Sequence, residues 1–366
     1  MFPLLKLTED EIRAYIARVT PSMVRESLAK GRCHYGDLLN LISPVAYEFL
    51  PEMQNNAMLC RRRHYGKTVS VYAPLYIGNS CINSCRYCDF NVHHHAVRTN
   101  LTLPEIIREA KAIRASGIDS LLIVSGEDPQ YATVSFLAEV GHALTPLFSY
   151  LALEVAPQSQ EAYEALFAAG YEGVTCFQET YNQARYAFLH PAGPKSNFDW
   201  RLGTPLRAGR AGMRTLGIAF LLGLDDWRLE SASLGAHAFY LMKTCYQSKI
   251  QFAFPRITPV SGGFQPDHPV DDRDLELMML AFRIVFPESG MTVSTREAPA
   301  FRDRIVQTCA DNMSAGSKVT PGGYSIRAQE DIGQFTLNDA RTPAEVFAAI
   351  ARNGQEVVRK YWDSRL

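Results

Sequence analysis

The chain has 366 residues, of which 47% are hydrophobic, so it is long and apolar enough for one large α/β barrel or two domains of average size. Its formal net charge of −1 argues against a nucleic acid or an anionic membrane as partner. No apolar run approaches the ~20 residues that a membrane-spanning helix needs. The first residues also lack the basic region, apolar core and cleavage site of a secretory signal, so we expect a cytoplasmic protein.

Residues 1–68 are predicted to form a helical extension that precedes the main domain. Thr8 and Glu11 have the spacing of a capping box, in which the threonine hydroxyl accepts a backbone N–H and the glutamate reaches back to the cap. The charged run 61–64 is interpreted as a solvated face. We expect this extension to pack on the main domain and to offer a surface to a partner protein.

Short apolar segments alternate with helical patterns from Val69 onward, which predicts repeated βα units and a parallel sheet. The apolar runs are continuous, as expected of strands buried on both faces. Eight such strands suggest a closed (β/α)8 barrel over residues 69–322, with its site at the carboxyl ends of the strands. The predicted strands are 69–77, 120–124, 150–155, 173–177, 216–222, 249–254, 291–294 and 312–315.

The tail, residues 323–366, is predicted to contain a loop and one last helix. Thr342 and Glu345 have the spacing of a second capping box, and Pro343 occupies the first helical position, where its missing N–H costs nothing. The fold class is therefore α/β, with a helical extension before the barrel and a helical tail after it.

Three cysteines, Cys81, Cys85 and Cys88, follow the first predicted strand at a C-x3-C-x2-C spacing. Thiolates are the usual ligands of an iron–sulfur cube, which takes four, so three close cysteines leave one iron open to another ligand. A structural zinc loop is the alternative, because such sites close with four Cys or His ligands. Its fourth ligand is then one of His93, His94 and His95. The scattered cysteines are interpreted as buried thiols of a reducing compartment: Cys33, Cys60, Cys176, Cys245 and Cys309.

Polar residues stand at the ends of three successive predicted strands, where they face the mouth of a barrel: Ser125, Gly126 and Glu127, then Glu154, then Glu179. A glycine lets a ligand approach the backbone, and a carboxylate can bind an ammonium group. Arg201 lies on a helical stretch before the fifth strand and can pair with a carboxylate. The alternative for each of these residues is an ordinary turn, helix cap or surface position.

Arg296 and Ser314 lie at the ends of the seventh and eighth predicted strands, which are neighbours in a barrel. An arginine can grip a carboxylate with two parallel hydrogen bonds, and a serine hydroxyl can accept from an ammonium group. Together they form a candidate clamp for the amino-acid end of a substrate, with Arg256 as the next candidate for the carboxylate. An ordinary salt bridge and a turn hydroxyl are the alternative.

The cysteine spacing, with Tyr87 directly before the last thiol, resembles the C-x3-C-x-aromatic-C signature of the radical S-adenosylmethionine (SAM) superfamily. The resemblance implies a [4Fe–4S] cluster whose open iron binds the methionine part of SAM, and a 5′-deoxyadenosyl radical formed when one electron cleaves SAM. It also implies that residues 125–127 receive the SAM amino group. Tyr87, Glu154, Glu179 and Arg201 are assigned to the same cofactor.

Several further stretches resemble the aromatic-amino-acid lyases of that superfamily, and among them the 2-iminoacetate synthase family: 81–88, 177–181, 190–193, 254–256, 294–297, 314–317 and 321–324. This resemblance implies cleavage of the Cα–Cβ bond of L-tyrosine to 2-iminoacetate (dehydroglycine) and p-cresol, for the thiazole of thiamine. It implies that Tyr76, Arg296 and Ser314 hold the substrate. Thiazole synthase and a flavodoxin- or ferredoxin-type electron donor are the implied partners.

Three alternatives stay open at this point. A tryptophan lyase would present a similar amino-acid clamp. The tyrosine lyase of [FeFe]-hydrogenase maturation carries a second cluster on a cysteine-rich C-terminal domain, and this chain has no cysteine after Cys309. A zinc-stabilised binding protein without catalysis is the third. The sequence departs from many relatives at Asp89, where they have glycine, and the three histidines 93–95 are interpreted as a polar loop face.

Overall fold

The computed structural model describes residues 7–95, 97–258, 263–326 and 333–358, and its centre is a closed barrel of eight parallel strands. Each strand pairs with the next in sequence, and β1 pairs with both β2 and β8, which closes the ring. The predicted barrel is therefore confirmed. The strands are β1 (Thr68–Gly78), β2 (Ser120–Ser125), β3 (Tyr150–Glu154), β4 (Gly173–Glu179), β5 (Thr215–Phe220), β6 (Lys249–Ala253), β7 (Gly290–Val293) and β8 (Asn312–Ser314).

Alternate side chains of β1 point to the two sides of the barrel wall. One set packs outward in the hydrophobic core beneath the helices: Val69, Val71, Ala73, Leu75 and Ile77. The intervening set, Tyr72, Pro74 and Tyr76, faces a cavity inside the barrel. This alternation places Tyr76 on the inner wall of the barrel, near the end of β1 and shortly before the cysteine loop.

Helices surround the barrel between successive strands. The first of them shows why they form where they do: a capping box of Thr102 and Glu105 starts it, and Ile106, Ala110 and Ile113 bury one face. It ends before Gly117, which has a φ of 90° that glycine adopts without strain. The helices of the barrel are α5 (Leu103–Ala115), α6 (Val134–Leu144), α7 (Gln160–Ala168), α8 (Gln183–Leu189), α9 (Phe198–Leu202), α10 (Thr204–Arg210), α11 (Trp227–Thr244), α12 (Asp272–Val285) and α13 (Pro299–Thr308).

The N-terminal extension is helical, as predicted, and packs on the outside of the barrel against α11, α12 and α13. The Thr8–Glu11 capping box starts its first helix. Its helices are α1 (Glu9–Ile16), α2 (Pro21–Leu28), α3 (Tyr35–Leu41) and α4 (Leu50–Tyr65), with a 3-10 turn at Pro44–Phe49.

The interpretation of the charged run 61–64 as a solvated face is wrong for its first member. Arg61 is only 1% exposed and donates to the carbonyl oxygens of Ala310 at 2.7 Å, Thr68 at 2.7 Å and Gly66 at 3.1 Å. The guanidinium donates to three backbone carbonyls near the starts of β1 and β8. It therefore attaches the extension to the amino-terminal end of the barrel.

The tail contains the predicted helix, α14 (Pro343–Arg352), which starts at the Thr342–Glu345 capping box. It also contains a short strand, β9 (Glu356–Val358), that the sequence analysis did not predict. This strand pairs in parallel with the first three residues of β1, so it braces the base of the strand that leads into the cysteine loop. Residues 327–332 and 359–366 of the predicted tail lie outside the described residues, and the division into segments 1–68, 69–322 and 323–366 stays a prediction. Among the described helices, none combines the length and the apolarity needed to span a membrane.

Candidate active site

The cysteine loop follows β1 and is hydrogen-bonded on two sides at the carboxyl end of the barrel. The amide of Ile82 donates to the carbonyl oxygen of Glu127, which comes just after β2. On the other side the amide of Ser84 donates to the carbonyl oxygen of Ala192, after α8. The loop is thus held by the segments that follow β2 and α8, which include two of the stretches on which the family resemblance rests.

Two glycines allow this close packing of the loop. A Cβ added to Gly126 would lie 2.1 Å from the carbonyl oxygen of Ser80, and one added to Gly193 would lie 2.4 Å from the Oδ1 of Asn83. The sequence analysis explained Gly126 by the approach of a ligand. The structure supplies a different reason, because the backbone that approaches this glycine belongs to the cysteine loop itself.

Cys81, Cys85 and Cys88 line one cavity of about 80 Å³ at this end of the barrel. Burial raises the pKa of the Cys85 thiol, and it raises the pKa of Cys88 to about 11. Both thiols are therefore protonated until an iron or another cation displaces the proton.

The geometry of the loop gives no support to a zinc site. Across the described parts of the chain, no three His, Cys, Asp or Glu side chains converge tightly enough to hold a single metal ion. His93 and His95 are exposed, and the Nδ1 of His94 lies 3.8 Å from a carboxylate oxygen of Asp89. The histidines form part of a polar loop surface, as interpreted from the sequence.

Four charged side chains line the wall of the cysteine cavity and neutralise one another. Arg201 lies 2.9 Å from the carboxylate of Glu127 and 3.5 Å from that of Glu179. Lys195 lies 2.6 Å from the same oxygen of Glu179. Burial would raise the pKa of Glu179, but the charges of Lys195 and Arg201 lower it below its ordinary value. Two cations and two carboxylates therefore remain charged side by side, and we call these four residues the charged quartet.

Glu179 has a strained backbone, because its φ of 70° lies in the left-handed region and it is the only non-glycine residue with positive φ in the described chain. Such a conformation costs on the order of 1–3 kcal/mol and persists only where its surroundings fix it. Here the carboxylate of Glu230, on α11, accepts from the amide of Tyr181 at 2.9 Å and from the hydroxyl of Thr180 at 2.6 Å. The buried carboxyl group of Glu230 therefore holds the two residues after Glu179, and so fixes the turn that directs the Glu179 side chain toward Lys195.

Tyr87 lies in the same region, with its ring in the larger cavity described below and its hydroxyl turned away toward His190. The hydroxyl lies 2.6 Å from the Nε2 of His190, whose Nδ1 lies 2.8 Å from the carbonyl oxygen of Tyr186. Burial lowers the pKa of His190 to about 3, so the imidazole is neutral. Its Nδ1–H donates to the carbonyl, and its Nε2 accepts from Tyr87.

A second, larger cavity of about 140 Å³ lies at the carboxyl ends of the strands and continues into the first. The residues that line both cavities include Cys88, Glu154, Glu179, Lys195 and Gln334. The structure therefore brings the predicted cysteine site and the predicted amino-acid clamp into one chamber, with Tyr76, Arg296 and Ser314 on the far wall.

Arg296 places a positively charged side chain on that far wall of the chamber. Its guanidinium lies 3.3 Å from the centre of the Phe335 ring and donates to the carbonyl oxygen of Arg256 at 3.3 Å. Among the described residues, no carboxylate lies within ion-pairing distance of it. Desolvation lowers the pKa of Arg296, but arginine stays protonated at any physiological pH, so a half-buried positive charge faces the chamber.

The other two predicted clamp residues are already partly engaged. The Ser314 hydroxyl accepts from the amide of Thr295 at 3.1 Å, which leaves it one further lone pair. The Tyr76 hydroxyl donates to the Oε1 of Gln334 at 2.6 Å. Arg256 is a poor candidate for the substrate carboxylate, because it is already paired with the carboxylates of Glu297 and Asp272.

Buried hydroxyls without a partner mark both cavities. Ser125 Oγ lines the cysteine cavity, and Thr258 Oγ1 and Ser317 Oγ line the larger one. Within the part of the chain that the structure describes, none of the three oxygens has a hydrogen-bond partner. Because buried polar groups are nearly always satisfied, these three hydroxyls are candidates for hydrogen bonds to a ligand or to water.

Glu154 lines both cavities where they meet, and its carboxyl group has a raised pKa. Burial and the negative charge of Glu179 raise the pKa of Glu154 to about 7, against the opposing effect of Arg296. The carboxyl group is therefore poised between its neutral and charged forms at the operating pH.

Comparison with known proteins identifies the family. The chain matches the Radical SAM superfamily over residues 75–234 and the Biotin and Thiamin Synthesis associated domain over residues 253–356. It is 39% identical to the 2-iminoacetate synthase of Escherichia coli (strain K12) over 99% of this chain and 96% of that protein. The chain belongs to the 2-iminoacetate synthase family. The corresponding protein of Salmonella typhimurium is 38% identical over the same shares of the two chains.

The chain is also similar to several solved structures. The [FeFe]-hydrogenase maturase HydG from Carboxydothermus hydrogenoformans has a TM-score of 0.84 at 31% identity and covers 95% of this chain, which in turn covers 79% of HydG. A second HydG structure has a TM-score of 0.89 at 26% identity, with 96% and 80% covered. Methylornithine synthase, with a TM-score of 0.73 at 19% identity, shares the fold.

Proteins of the Radical SAM superfamily use a [4Fe–4S] cluster and SAM, and the residues of this 2-iminoacetate synthase family member fit both groups. Three thiols line one cavity, which suits a cube with one open iron. The charged quartet beside them offers carboxylates to an ammonium group and cations to a carboxylate, the two charges of an amino acid. The unpartnered Ser125 hydroxyl adds a hydrogen-bonding group in the same cavity.

Sequence reasoning missed several residues of this site. Lys195 lies in a single 3-10 turn, Pro194–Ser196, and Gln334 lies in a loop, so no periodicity marks either side chain as inward-facing, and Phe335 comes from the tail. His190 belongs to the stretch 190–193 that carried part of the resemblance, but its role as the acceptor for Tyr87 is visible only in three dimensions.

Proposed function

We propose that this protein is a tyrosine lyase that cleaves the Cα–Cβ bond of L-tyrosine to 2-iminoacetate and p-cresol, with 5′-deoxyadenosine and methionine as the products of SAM. The observation that carries the proposal is the half-buried positive charge of Arg296 in a chamber continuous with the cysteine cavity. It is supported by 39% identity with a 2-iminoacetate synthase over nearly the whole chain.

Cys81, Cys85 and Cys88 are proposed to hold the cube, and the charged quartet to hold the amino-acid end of SAM. When bound, the cube and SAM supply the one-electron chemistry and the radical that start the cleavage. The carboxylates of Glu127 and Glu179 suit the SAM ammonium group, and Arg201 and Lys195 suit its carboxylate, since charge-assisted hydrogen bonds contribute about 1.5–3 kcal/mol each. Ser125, Gly126, Tyr87 and Glu154 complete the proposed cofactor site.

Arg296 is proposed to bind the carboxylate of tyrosine with a two-pronged contact, while the free lone pair of Ser314 accepts from the substrate ammonium group. Tyr76, held by Gln334, lines the same wall and orients the substrate. The chamber lies inside the barrel, so its walls keep water from a reactive primary radical and fix which hydrogen atom lies nearest to it.

Thiazole synthase is proposed as a partner, because 2-iminoacetate is an imine that water hydrolyses and a direct complex would protect it. The N-terminal layer of α1–α4 is the proposed contact surface. Co-purification of the two proteins under anaerobic conditions, with and without residues 1–60, tests this, and the absence of any association would refute it. The electron donor is proposed to be a flavodoxin or ferredoxin, and the compartment the cytoplasm.

The decisive experiment is product analysis of the anaerobically reconstituted protein with SAM and with tyrosine or tryptophan, side by side. The proposal expects p-cresol and 2-iminoacetate from tyrosine and no cleavage of tryptophan. An indolic product from tryptophan would instead establish a tryptophan lyase. A colourless protein that contains zinc and does not cleave SAM would establish the binding-protein alternative.

A further inference from the structure

Two carboxyl groups of the described chain line both the cysteine cavity and the larger cavity, those of Glu154 and Glu179. The carboxylate of Glu179 is already paired, with Lys195 at 2.6 Å and with Arg201 at 3.5 Å. Glu154 forms no hydrogen bond or contact ion pair with any described residue. A carboxyl group without a partner therefore stands at the junction of the two cavities.

Glu154 faces Arg296 across the chamber. Glu154 ends β3 and Arg296 follows β7, and these two strands lie on opposite sides of the eight-stranded ring. Charged and titratable side chains act on Glu154 from β1, β4, β7 and the segment between β4 and β5: Tyr72, Tyr76, Glu179, Lys195, Arg201 and Arg296. The three cations favour its carboxylate, whereas burial and the charge of Glu179 favour its neutral form.

A third cavity, of about 110 Å³, lies below Glu154 inside the barrel and extends to Lys249, an exposed residue at the start of β6. The interior of such a barrel is usually filled by branched apolar side chains, but here several of the lining residues are polar: Thr175, Gln251, Thr292 and Asn312. The amides of Gln251 and Asn312 donate to the Thr292 hydroxyl at 2.7 and 3.3 Å. A polar cavity of this size has room for several water molecules, through which Glu154 can exchange protons with solvent.

The proposed cleavage of tyrosine moves protons as well as breaking the Cα–Cβ bond. The product 2-iminoacetate has a C=N double bond at Cα, so the Cα–Cβ bond breaks when the unpaired electron is on nitrogen. A hydrogen atom leaves nitrogen more readily from a neutral amine than from an ammonium group, the form of tyrosine in neutral water. One proton therefore has to leave the nitrogen first. The benzylic fragment then needs one electron and one proton to form the methyl group of p-cresol.

We propose that Glu154 is the acid–base group of this reaction, which takes a proton from the substrate ammonium group and returns it to the benzylic carbon. The inference rests on the proposed function. In the first step an N–H bond breaks and an O–H bond forms on the carboxylate. In the last step that O–H bond breaks and a C–H bond forms, while a reduced flavodoxin or ferredoxin supplies the electron. The two proton transfers balance, so no net proton is taken up.

The position of Glu154 suits both transfers. When the substrate carboxylate contacts Arg296, the nitrogen has to lie toward the cysteine cavity for its hydrogen to be removed there, and Glu154 stands at that junction. Its pKa of about 7 allows it to be a carboxylate before the first transfer and an acid before the last. Glu179 lines the same junction, but its two cations keep it ionised.

The first test is the rate of p-cresol formation by Glu154→Gln at pH 8. General acid–base catalysis contributes about 10²–10⁴-fold, so we expect a loss of at least about 100-fold. Iron content and SAM affinity, measured by equilibrium dialysis, should change less than about twofold. Glu154→Asp keeps a carboxyl group and should recover part of the rate. Glu172→Gln removes a half-buried carboxyl group with a raised pKa outside the chamber, and this control should leave all three quantities unchanged.

Binding of tyrosine to the holoenzyme gives a second readout, which does not depend on turnover. The carboxylate of Glu154 attracts the substrate ammonium group and the neutral acid does not. The Kd for tyrosine should therefore fall about tenfold between pH 6 and pH 8 in the parent and stay constant in Glu154→Gln. The analogue 3-(4-hydroxyphenyl)propanoate has no amino group, so its binding should not tighten over this range.

Three results would overturn the role of Glu154. They are a normal rate in Glu154→Gln, a loss of SAM affinity as large as the loss of rate, and the same pH dependence of tyrosine binding in both proteins. The second of these would make Glu154 a ligand of the cofactor. If the parent protein forms no p-cresol, the proposed function itself fails. If the parent forms p-cresol and Glu154→Gln matches it, only the inference about Glu154 fails.

Discussion

The two walls of the chamber differ in whether their charged side chains form ion pairs. On the cysteine side, the charged quartet of Glu127, Glu179, Lys195 and Arg201 contains equal numbers of cations and carboxylates in direct contact. On the far side, Arg296 faces the chamber over an aromatic ring, and among the described residues no carboxylate lies within ion-pairing distance of it. The cations and carboxylates of the first wall are paired with one another, whereas the described residues of the second leave its guanidinium without a contact ion pair.

The difference indicates what each wall binds. A wall that is already neutral can exchange its internal contacts for those of a ligand with both charges, at little net electrostatic cost. A wall with a half-buried, unmatched cation gains most from a ligand that brings a carboxylate. The structure therefore favours the cofactor on the first wall and the substrate carboxylate on the second, an asymmetry that variants can test.

The largest effect is expected from Cys85→Ala, which should remove the cysteine wall as a cofactor site. Two remaining thiolates cannot hold the cube reliably, so iron, expected at about four atoms per chain in the parent protein, and SAM cleavage should both be lost. The measurements are iron content and 5′-deoxyadenosine. Cys245→Ala, at a buried thiol beside α10, is the matched control and should retain both. Close to eight irons in the parent would contradict a single cluster.

Arg296→Ala should impair the substrate site and leave the cofactor site intact. Loss of the charge-assisted contact is expected to weaken tyrosine binding more than tenfold, while iron content and SAM affinity stay unchanged. Deoxyadenosine would then form without matching p-cresol. Arg296→Lys keeps the charge but loses the fork and should recover little. A normal rate of p-cresol formation with an unchanged tyrosine KM in Arg296→Ala would show that the clamp lies elsewhere.

Lys195→Met should produce the converse effect, a weaker cofactor site with an intact substrate site. Removing the ammonium group leaves the quartet with one excess negative charge, which repels the SAM carboxylate. SAM affinity, measured by equilibrium dialysis, is expected to fall about tenfold while tyrosine affinity changes less than about twofold. Lys249→Met, at the opposite end of the barrel, controls for loss of a lysine. Unchanged SAM affinity would remove Lys195 from the cofactor site.

Glu154→Gln should change the stability of the protein, and by an amount that depends on pH. In the folded protein the pKa of Glu154 is raised to about 7 from 4.5, so the native state holds its proton more tightly than the unfolded chain does. The stability contributed by the neutral carboxyl is present below about pH 4.5 and is lost as pH rises through 7. The amide variant stays neutral, so its stability relative to the parent should improve between pH 5 and pH 8, by on the order of 2 kcal/mol.

Thermal unfolding of the parent and of Glu154→Gln, at both pH values and without tyrosine, measures this change. A difference between the two proteins that is the same at pH 5 and pH 8 would mean that Glu154 does not titrate in this range.

The barrel could be predicted from the sequence because strands buried on both faces produce unbroken apolar runs. The predicted ends differ from the observed strands by no more than two residues, as in 173–177 against β4 (Gly173–Glu179). The short strand β9 escaped detection because three residues carry no measurable period. Arg61 was misread because a local run of charge contains no information about Ala310, the distant residue whose carbonyl it binds.

The site was predictable in the parts that lie close together in sequence or at the ends of neighbouring strands. The cysteine triplet is an example of the first kind, and Arg296 with Ser314 is an example of the second. Lys195 was missed because its inward direction depends on a loop path and on the strained turn at Glu179. For Gly126, the sequence could not show that the backbone of Ser80 would lie in the space beside it.

The pairing of β1 with strands from the C-terminal part of the chain has a consequence for how the enzyme folds during synthesis. The cysteines leave the ribosome early, yet β1, the strand that carries their loop, gains β8 and β9 as neighbours only when nearly all of the chain has emerged. At a translation rate of about 5–20 residues per second, the thiols wait for roughly ten seconds or more in an open, half-formed barrel. We therefore expect the complete chamber, and with it stable binding of a cluster, only after release of the finished chain.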